Sequence, residues 1–390
     1  MMKLQRLMFL SILWFGQSQA MTLPSEPVIP YDCKICEELS HEQLSHSWAI
    51  EAKSLKKNES NRQISRKYQK TASLKDLENG VTITTQGPSA VIRISTTAKH
   101  NKSPQFFILN SKGEQFSLSE ASTLFAKENA LSRTAFADEL LAFELKPELG
   151  AGKFVLKASK GQLQLDSAYQ IHVYDRNAST YLTVETNKTR YHYGEQLSVL
   201  IRLIDEDLNY PIDDISAYLL SPYGEPISLN LEQIENNLYL AKFDLLSDKD
   251  SHGENWYVDV QTTTIVNNTE IIRHGHTAFS YVIPSSAIRE IKAKNTYEFS
   301  AKLEVATGSR YALEAVLFGR DANGAYQPFA AVQSASWFAA GVHNFDFSFD
   351  SNLKSDYKPP YFIGYLRLID FGQLKPVYEY SEPIAITALG

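Results

Sequence analysis

Leu197, Val199, Ile201 and Leu203 set an apolar side chain at every second position, with Ser198, Leu200 and Arg202 between them. A period of two buries one face of an extended strand and leaves the other out; a helix would scatter the same four residues around its axis. Similar alternation recurs at Leu182–Val184, at Phe299, Ala301, Leu303 and Val305, and from Val81 and Ile83 to Val91, Ile92 and Ile94. Gly-, Pro- and Asn-containing turns separate the runs, among them Tyr193-Gly194-Glu195, Ser221-Pro222-Tyr223-Gly224 and Asp321-Ala322-Asn323-Gly324. The reading is an all-β protein of tandem immunoglobulin-like β-sandwich domains with a short helical N-terminal segment.

The 390 residues divide by texture into five stretches. Residues 1–20 read as a signal peptide: Lys3 and Arg6, the apolar run Leu7 to Gly16, then the small-x-small site Ser18-Gln19-Ala20, with cleavage before Met21. The run is too short to span a bilayer, and no later stretch reaches the ~20 apolar residues a spanning helix needs. Residues 21–78 form an N-terminal segment carrying Cys33 and Cys36, its part from 37 to 75 expected as helix or linker because Leu39, Leu44 and Trp48 recur at helical spacing. Residues 79–178 read as a β-sandwich with a helical insertion at about 119–141, residues 179–286 as an immunoglobulin-like domain, and residues 287–390 as another. The expected location is secreted, by way of the periplasm.

Charge and cysteine usage narrow the chemistry. With 38 basic and 45 acidic residues the net charge is −7, which disfavours nucleic acid and anionic membrane as partners. Cys33 and Cys36 are the only cysteines. In an exported chain they read as a structural disulfide; redox use needs a thioredoxin-like frame, and zinc needs more ligands.

Several motifs invite a catalytic or metal reading. His41-Glu42-Gln43-Leu44-Ser45-His46 places its histidines five apart, about 140° around a helix, where a zinc-protease helix needs four. Asp370-Phe371-Gly372 spells a kinase motif without the Gly-rich loop, strand lysine or catalytic loop that give it meaning. Asp205, Asp207, Asn209, Asp213 and Asp214 gather hard oxygen ligands after one strand and form the candidate Ca²⁺ site, although the EF-hand Gly and Glu are missing. His274 and His276 share a strand face and form an alternative metal pair. Otherwise no cofactor is expected. Trp256, entering a strand after Gly253, is expected in a core. Trp337, among small residues, is the candidate ligand-facing or interface aromatic, with Tyr357 and Tyr361 on a neighbouring loop.

The turns at Tyr193-Gly194-Glu195 and Ser221 to Gly224, with Gly253-x-x-Trp256, resemble exported bacterial immunoglobulin-like and macroglobulin-type modules. Tyr311 to Gly319, Gln333 to Trp337, Tyr365 to Gly372 and Arg273 to Phe279 resemble an uncharacterised family of secreted Gram-negative proteins with tandem immunoglobulin-like domains. The likeness covers roughly residues 80–390. It implies type II secretion substrates and brings no catalytic residues with it. The expectation is therefore a binding or interaction protein, not an enzyme, whose partner is a protein or glycan, in the resemblance a host cell's. The alternatives are a secreted hydrolase-type effector with a site in the 119–141 insertion or an interdomain cleft, and an inhibitor or chaperone-like partner in the periplasm.

Overall fold

The computed structural model describes residues 20–51, 61–96, 105–127, 139–159, 168–205, 210–222, 224–246, 255–353 and 356–389. The proposed signal peptide lies outside them apart from Ala20. The chain forms two compact units, one of Lys57–Leu246 with Glu254–Tyr281, the other of the residues up to Lys56, Ser247–Gly253 and Val282–Gly390.

The first of these holds two sandwiches. One packs the sheet Lys67–Ser73, Ala168–Tyr174, Val91–Thr96, Glu139–Leu145 and Ser122–Lys127 against Val81–Thr85, Gly152–Ala158, Phe106–Leu109 and Gln115–Ser117. Ile92 and Ile94 point into its core, opposite Val173 and Ile171, while Arg93 between them lies over the Tyr174 ring. The helix Leu74–Asn79 closes one end; the Ser73 hydroxyl accepts from Asp76 N and Ser73 N donates to Asp76 Oδ2, which satisfies its first turn, and Leu74 and Leu77 are buried.

The other sandwich of this unit contains the period-two strand, Gln196–Asp205, whose Leu197, Val199, Ile201 and Leu203 are all buried. It lies in the order Leu231–Glu235, Leu238–Asp244, Gln196–Asp205, Thr180–Thr186, extended by Asn61–Ser65. The facing sheet runs Arg190–His192, Thr269–Val282, Trp256–Val266, Asp214–Leu220, Ile227–Ser228. These are the D-E-B-A and A′-G-F-C-C′ layers of an immunoglobulin-type sandwich. Trp256 sits in the core between Phe279 and Tyr281.

The remaining unit is one sandwich built from both ends of the chain. Ser286–Ala293, Glu298–Val305 and Gly341–Ser348 make an A-B-E layer; Tyr326–Phe338, Ser309–Arg320, Lys358–Asp370 and Lys375–Tyr380 make the facing C′-C-F-G layer. The N-terminal segment adds an edge strand to each: Met21–Thr22 pairs with Ser286–Ala293, and Leu44–Ala49 with Tyr326–Phe338.

This overturns the helical reading of residues 37–75. Only a 3₁₀ turn at Cys36–Glu38 and the first two residues of the Leu74–Asn79 helix fall there; residues 44–49, 61–65 and 67–73 are strands, and 52–60 lie outside the described residues. The physical reason is arithmetic. A spacing of four, as between Leu44 and Trp48, keeps side chains on one face of a helix and of a strand alike. The open backbone edge of Tyr326–Phe338 decides for the strand. The helical insertion at 119–141 is corrected likewise. Ser117 and Glu120 make a capping-box-like turn, then Ser122–Lys127 and Glu139–Leu145 pair, with Phe143 opposite Phe125. Residues 128–138 of that stretch lie outside the described residues.

Cys33 and Cys36 are disulfide-bonded and seat the N-terminal segment on Gly372. A Cβ at Gly372 would strike Tyr31 Oη and Cys36 Sγ, so only glycine lets the bridge approach this closely. Below the bridge, the fully buried Asp370 accepts hydrogen bonds from Tyr31 (3.0 Å), Ser285 (2.6 Å), Ser309 (2.7 Å), Gly372 N (2.9 Å) and Gln373 (3.1 Å). Burial, and after it the charge of Asp370, pushes the Tyr31 phenol far above its usual range. The kinase-like tripeptide is thus a polar hub with a seat for a disulfide.

Candidate functional site

The outer face of the sheet that Leu44–Ala49 joins carries an ordered polar row beside a groove. Cross-strand register sorts its side chains into rows perpendicular to the strands. One row is polar throughout: His46 stands opposite Gln333, Gln333 opposite Glu314, Glu314 opposite Arg367, and Arg367 opposite Glu379. Its members lock one another in place. Gln333 Nε2 donates to Glu314 Oε1 (2.9 Å), Arg367 Nη1 to Glu314 Oε2 (3.3 Å), and Arg367 Nε to Glu379 Oε1 (2.9 Å).

The next row has large ends and a small middle. Trp48 stands opposite Ala331, Ala331 opposite Val316, and Val316 opposite Gly364 beside Tyr365. Trp48 is 41% exposed and Tyr365 54%. Between them lies a groove of about 900 Å³, floored by Ala331 and Val316 and bordered by Glu314, Arg367, Gln327 and Phe318. Three strand spacings separate its aromatic walls, roughly 14 Å at the usual ~4.8 Å per strand.

Tyr365 is held there at a cost. The register slips between Glu314 and Val316, so Tyr365 sits in a bulge of the Lys358–Asp370 strand with φ of 52°. A bulky residue in left-handed backbone is uncommon, and such outliers cluster at ligand-facing positions. The ring stacks on Phe318, centroids 5.9 Å apart.

Trp48 depends on the N-terminal segment being held down. Arg310, buried, donates from Nη1 to the carbonyls of Ser40 and Glu42, just ahead of the strand. The Ser45 and Ser334 hydroxyls pair at 2.7 Å, and Ser47 Oγ accepts from Asp350 N. The His46 and Trp48 rings stack at 5.7 Å.

The aromatics singled out from sequence lie elsewhere. Trp337 is half-buried, its ring stacked on His41 at 4.4 Å and its Nε1 donating to the Cys36 carbonyl (3.0 Å). Tyr357 stacks on Phe329, and the Tyr361 hydroxyl donates to the Tyr357 carbonyl; both pack against the core. These three are half-buried against the chain, whereas Trp48 and Tyr365, each stacked on a neighbour, still present exposed ring surface outward. The signal for the latter was present in Tyr365-Leu-Arg-Leu, where an aromatic and a cation take the outward positions of a strand.

Three of the five Ca²⁺ candidates fall among the described residues. Asp205 is buried at the end of its strand, Asp213 Oδ2 accepts from Ile265 N (2.6 Å), Asp214 opens the next strand, and Asp207 and Asn209 lie outside the described residues. His274 Nε2 meets Asp259 Oδ1 at 2.7 Å, while His276 turns to Lys67. Among the described residues no three His, Cys, Asp or Glu side chains are grouped to hold a metal ion.

Fold and surface together define a multi-domain, nearly all-β protein of sandwich units with a walled groove on one outer sheet. No described helix is long and apolar enough to cross a membrane. The chain belongs to the DUF4785 family, a family of unknown function: residues 35–175 match its N-terminal domain, 178–282 its central domain and 285–387 its C-terminal domain. The crystal structure of a DUF4785 family protein from Legionella pneumophila is similar, at 38% identity over 95% of this chain and 100% of that one, with a TM-score of 0.79. Salmonella alpha-2-macroglobulin (9% identity, 80% of this chain, 24% of that one, TM-score 0.23) and the chicken CNTN1 FN1–FN3 domains (9%, 78%, 98%, 0.20) are too distant to carry an argument. No curated protein matches the chain.

Proposed function

We propose that the protein is an exported, non-catalytic glycan-binding protein, and that the groove between Trp48 and Tyr365 is its recognition surface. The observation that carries this is Tyr365: a ring held outward by a costly left-handed bulge, facing a tryptophan across a small-residue floor. A sugar ring offers an apolar C–H face to stack on an aromatic and vicinal hydroxyls to bridge planar polar groups. The groove supplies both, the rings at its walls and the pre-ordered Gln333–Glu314–Arg367 row along its side. Its span suits a short oligosaccharide. Export rests on the charged and apolar pattern of residues 1–20. Delivery by type II secretion to a host surface accords with the family resemblance of the sequence.

The test is a glycan array probed with the mature chain 21–390, followed by calorimetry on the hits. Wild type is expected to select a small set of glycans, and Trp48→Ala and Tyr365→Ala each to weaken the hit at least tenfold. An array without hits, or variants that bind like wild type, would sink the proposal.

A further inference from the structure

A second polar site lies in the unit of two sandwiches. The chain crosses from one sandwich to the other between Ser65 and Lys67, and back at Tyr174 to Arg176; the crossings are tied by the Asp175 N to Arg66 O hydrogen bond (3.2 Å). Beside them opens a cleft of about 390 Å³, lined by Arg66, Lys67, Arg176 and His276 among others.

The acids near this cleft are already engaged. Asp175 is fully buried and accepts from Gln86 N (2.8 Å), Gly87 N (3.1 Å) and Arg273 Nη2 (3.3 Å). Asp259 is bound to His274 Nε2. Arg176 is drawn outward to Glu144. Lys67 and Arg66 have no carboxylate within ion-pair distance among the described residues. Lys67 Nζ instead faces His276 Nδ1 at 3.5 Å, a cation set against an imidazole nitrogen. Arg66 is fixed: its Nε donates to the Ala178 carbonyl (2.8 Å) and its guanidinium lies over the Tyr181 ring (4.7 Å). A half-buried ammonium without a direct ion-pair partner is costly, and burial pushes the Lys67 amine below its usual value, the charge of nearby Asp259 opposing this in part. None of these carboxylates bonds Lys67 or Arg66 directly, which leaves both cations open to a ligand's negative charge.

We propose that this cleft binds an oxyanion — the carboxylate, sulfate or phosphate group of a ligand — between Lys67 and His276, with Arg66 as the fixed second cation. The compact ammonium and the imidazole donate to separate oxygens, while the guanidinium, already immobilised, adds charge at little ordering cost. The site is independent of the glycan groove.

The experiment titrates the mature chain with sulfate, phosphate and glucuronate at fixed pH and ionic strength, by calorimetry and by the imidazole NMR signals of His276. Saturable binding of at least one anion is expected, with a His276 shift, and at least a tenfold loss in Lys67→Met. Lys67→Gln, gentler on the fold, is expected to show the same loss, and the surface variant Lys294→Gln to bind as wild type does. The ranking of the three anions separates a carboxylate ligand from a sulfate or phosphate ester. No saturable binding by any of them, unchanged affinity in both Lys67 variants, or a silent His276 would overturn the assignment.

Discussion

Tyr365 offers a test in which the sign of an effect, and not merely its size, carries the answer. Its φ of 52° places it in left-handed backbone within a strand bulge. At an ordinary strand position glycine is less stable than alanine by roughly 0.5–1 kcal/mol, because it loses more backbone freedom on folding. In left-handed backbone an alanine Cβ costs about 1–2 kcal/mol that glycine does not incur. Tyr365→Gly should therefore be the more stable variant by about 1 kcal/mol, reversing the usual order. Both lose the stack on Phe318, worth roughly 0.5–1.5 kcal/mol, so that term cancels in the comparison. For a unit of this size 1 kcal/mol corresponds to about 3 °C in Tm. Scanning calorimetry of the mature chain should find the lowest melting transition affected by Tyr365→Ala raised by about that much in Tyr365→Gly. Both should lose glycan affinity equally, and Tyr365→Phe should keep most of it. If alanine proves more stable than glycine, the bulge is not strained and the main structural support for the groove falls.

Three further outcomes follow from named contacts. Arg273 is 1% exposed in its side chain and donates to Asp175 and the Thr180 carbonyl; Arg273→Met strands a buried carboxylate and should cost about 3–5 kcal/mol, seen as a lower urea midpoint, with Asp175→Asn in the same chain restoring part of it. Replacing Cys33 and Cys36 by serine removes at most ~2 kcal/mol of chain-entropy stabilisation, but it frees the clip on Gly372, so amide exchange should quicken in Leu44–Ala49 and glycan affinity should fall together; unchanged exchange there would separate the disulfide from the groove. His172 is held below its usual pKa by burial first, then by Lys67 and Arg93. The unfolded chain thus takes up more protons below about pH 6.5, so this contribution is fully present above that pH and is lost as pH falls through the depressed folded value. His172→Gln should melt with a shallower pH dependence than wild type between about pH 7 and 5.

How far the fold could be read in advance depended on whether a pattern had one meaning or two. Leu197, Val199, Ile201 and Leu203 admit only a strand, and all four are buried. Leu44 and Trp48 are four apart, which serves helix and strand equally, and the open edge of a strand nearly 300 residues later made the choice. Ser117-Leu-Ser-Glu120 carries the hydrogen bonds of a helix start yet leads into Ser122–Lys127, because pairing with Glu139–Leu145 overrides the local signal. The groove was less legible still. Its polar row joins His46, Gln333, Glu314, Arg367 and Glu379, which only cross-strand register brings together. The alternation of Tyr365 and Arg367 marks two outward positions, but the left-handed bulge at Tyr365 leaves no mark in the spacing of residues, since the side chain is an unfavourable one for that backbone. Trp337 looked exposed among serines and alanines because nothing local announces that His41 will cover it.

The way the N-terminal segment is fastened bears on why the groove is built as it is. One of the two aromatic walls, Trp48, comes from a strand that enters the sheet by its edge, and the anchors of that strand all lie outside the groove: the Cys33–Cys36 bridge on Gly372, the Asp370 hub beneath it, and Arg310 holding the Ser40 and Glu42 carbonyls. The polar row would survive without the strand, since Gln333, Glu314, Arg367 and Glu379 belong to the sandwich itself. Its aromatic counterpart would not. On the proposed glycan reading, recognition by hydrogen bonding would be intrinsic to the sandwich and recognition by stacking would be conferred by the segment, so release of the segment should reduce affinity for every glycan hit while preserving the preferences that the polar row sets.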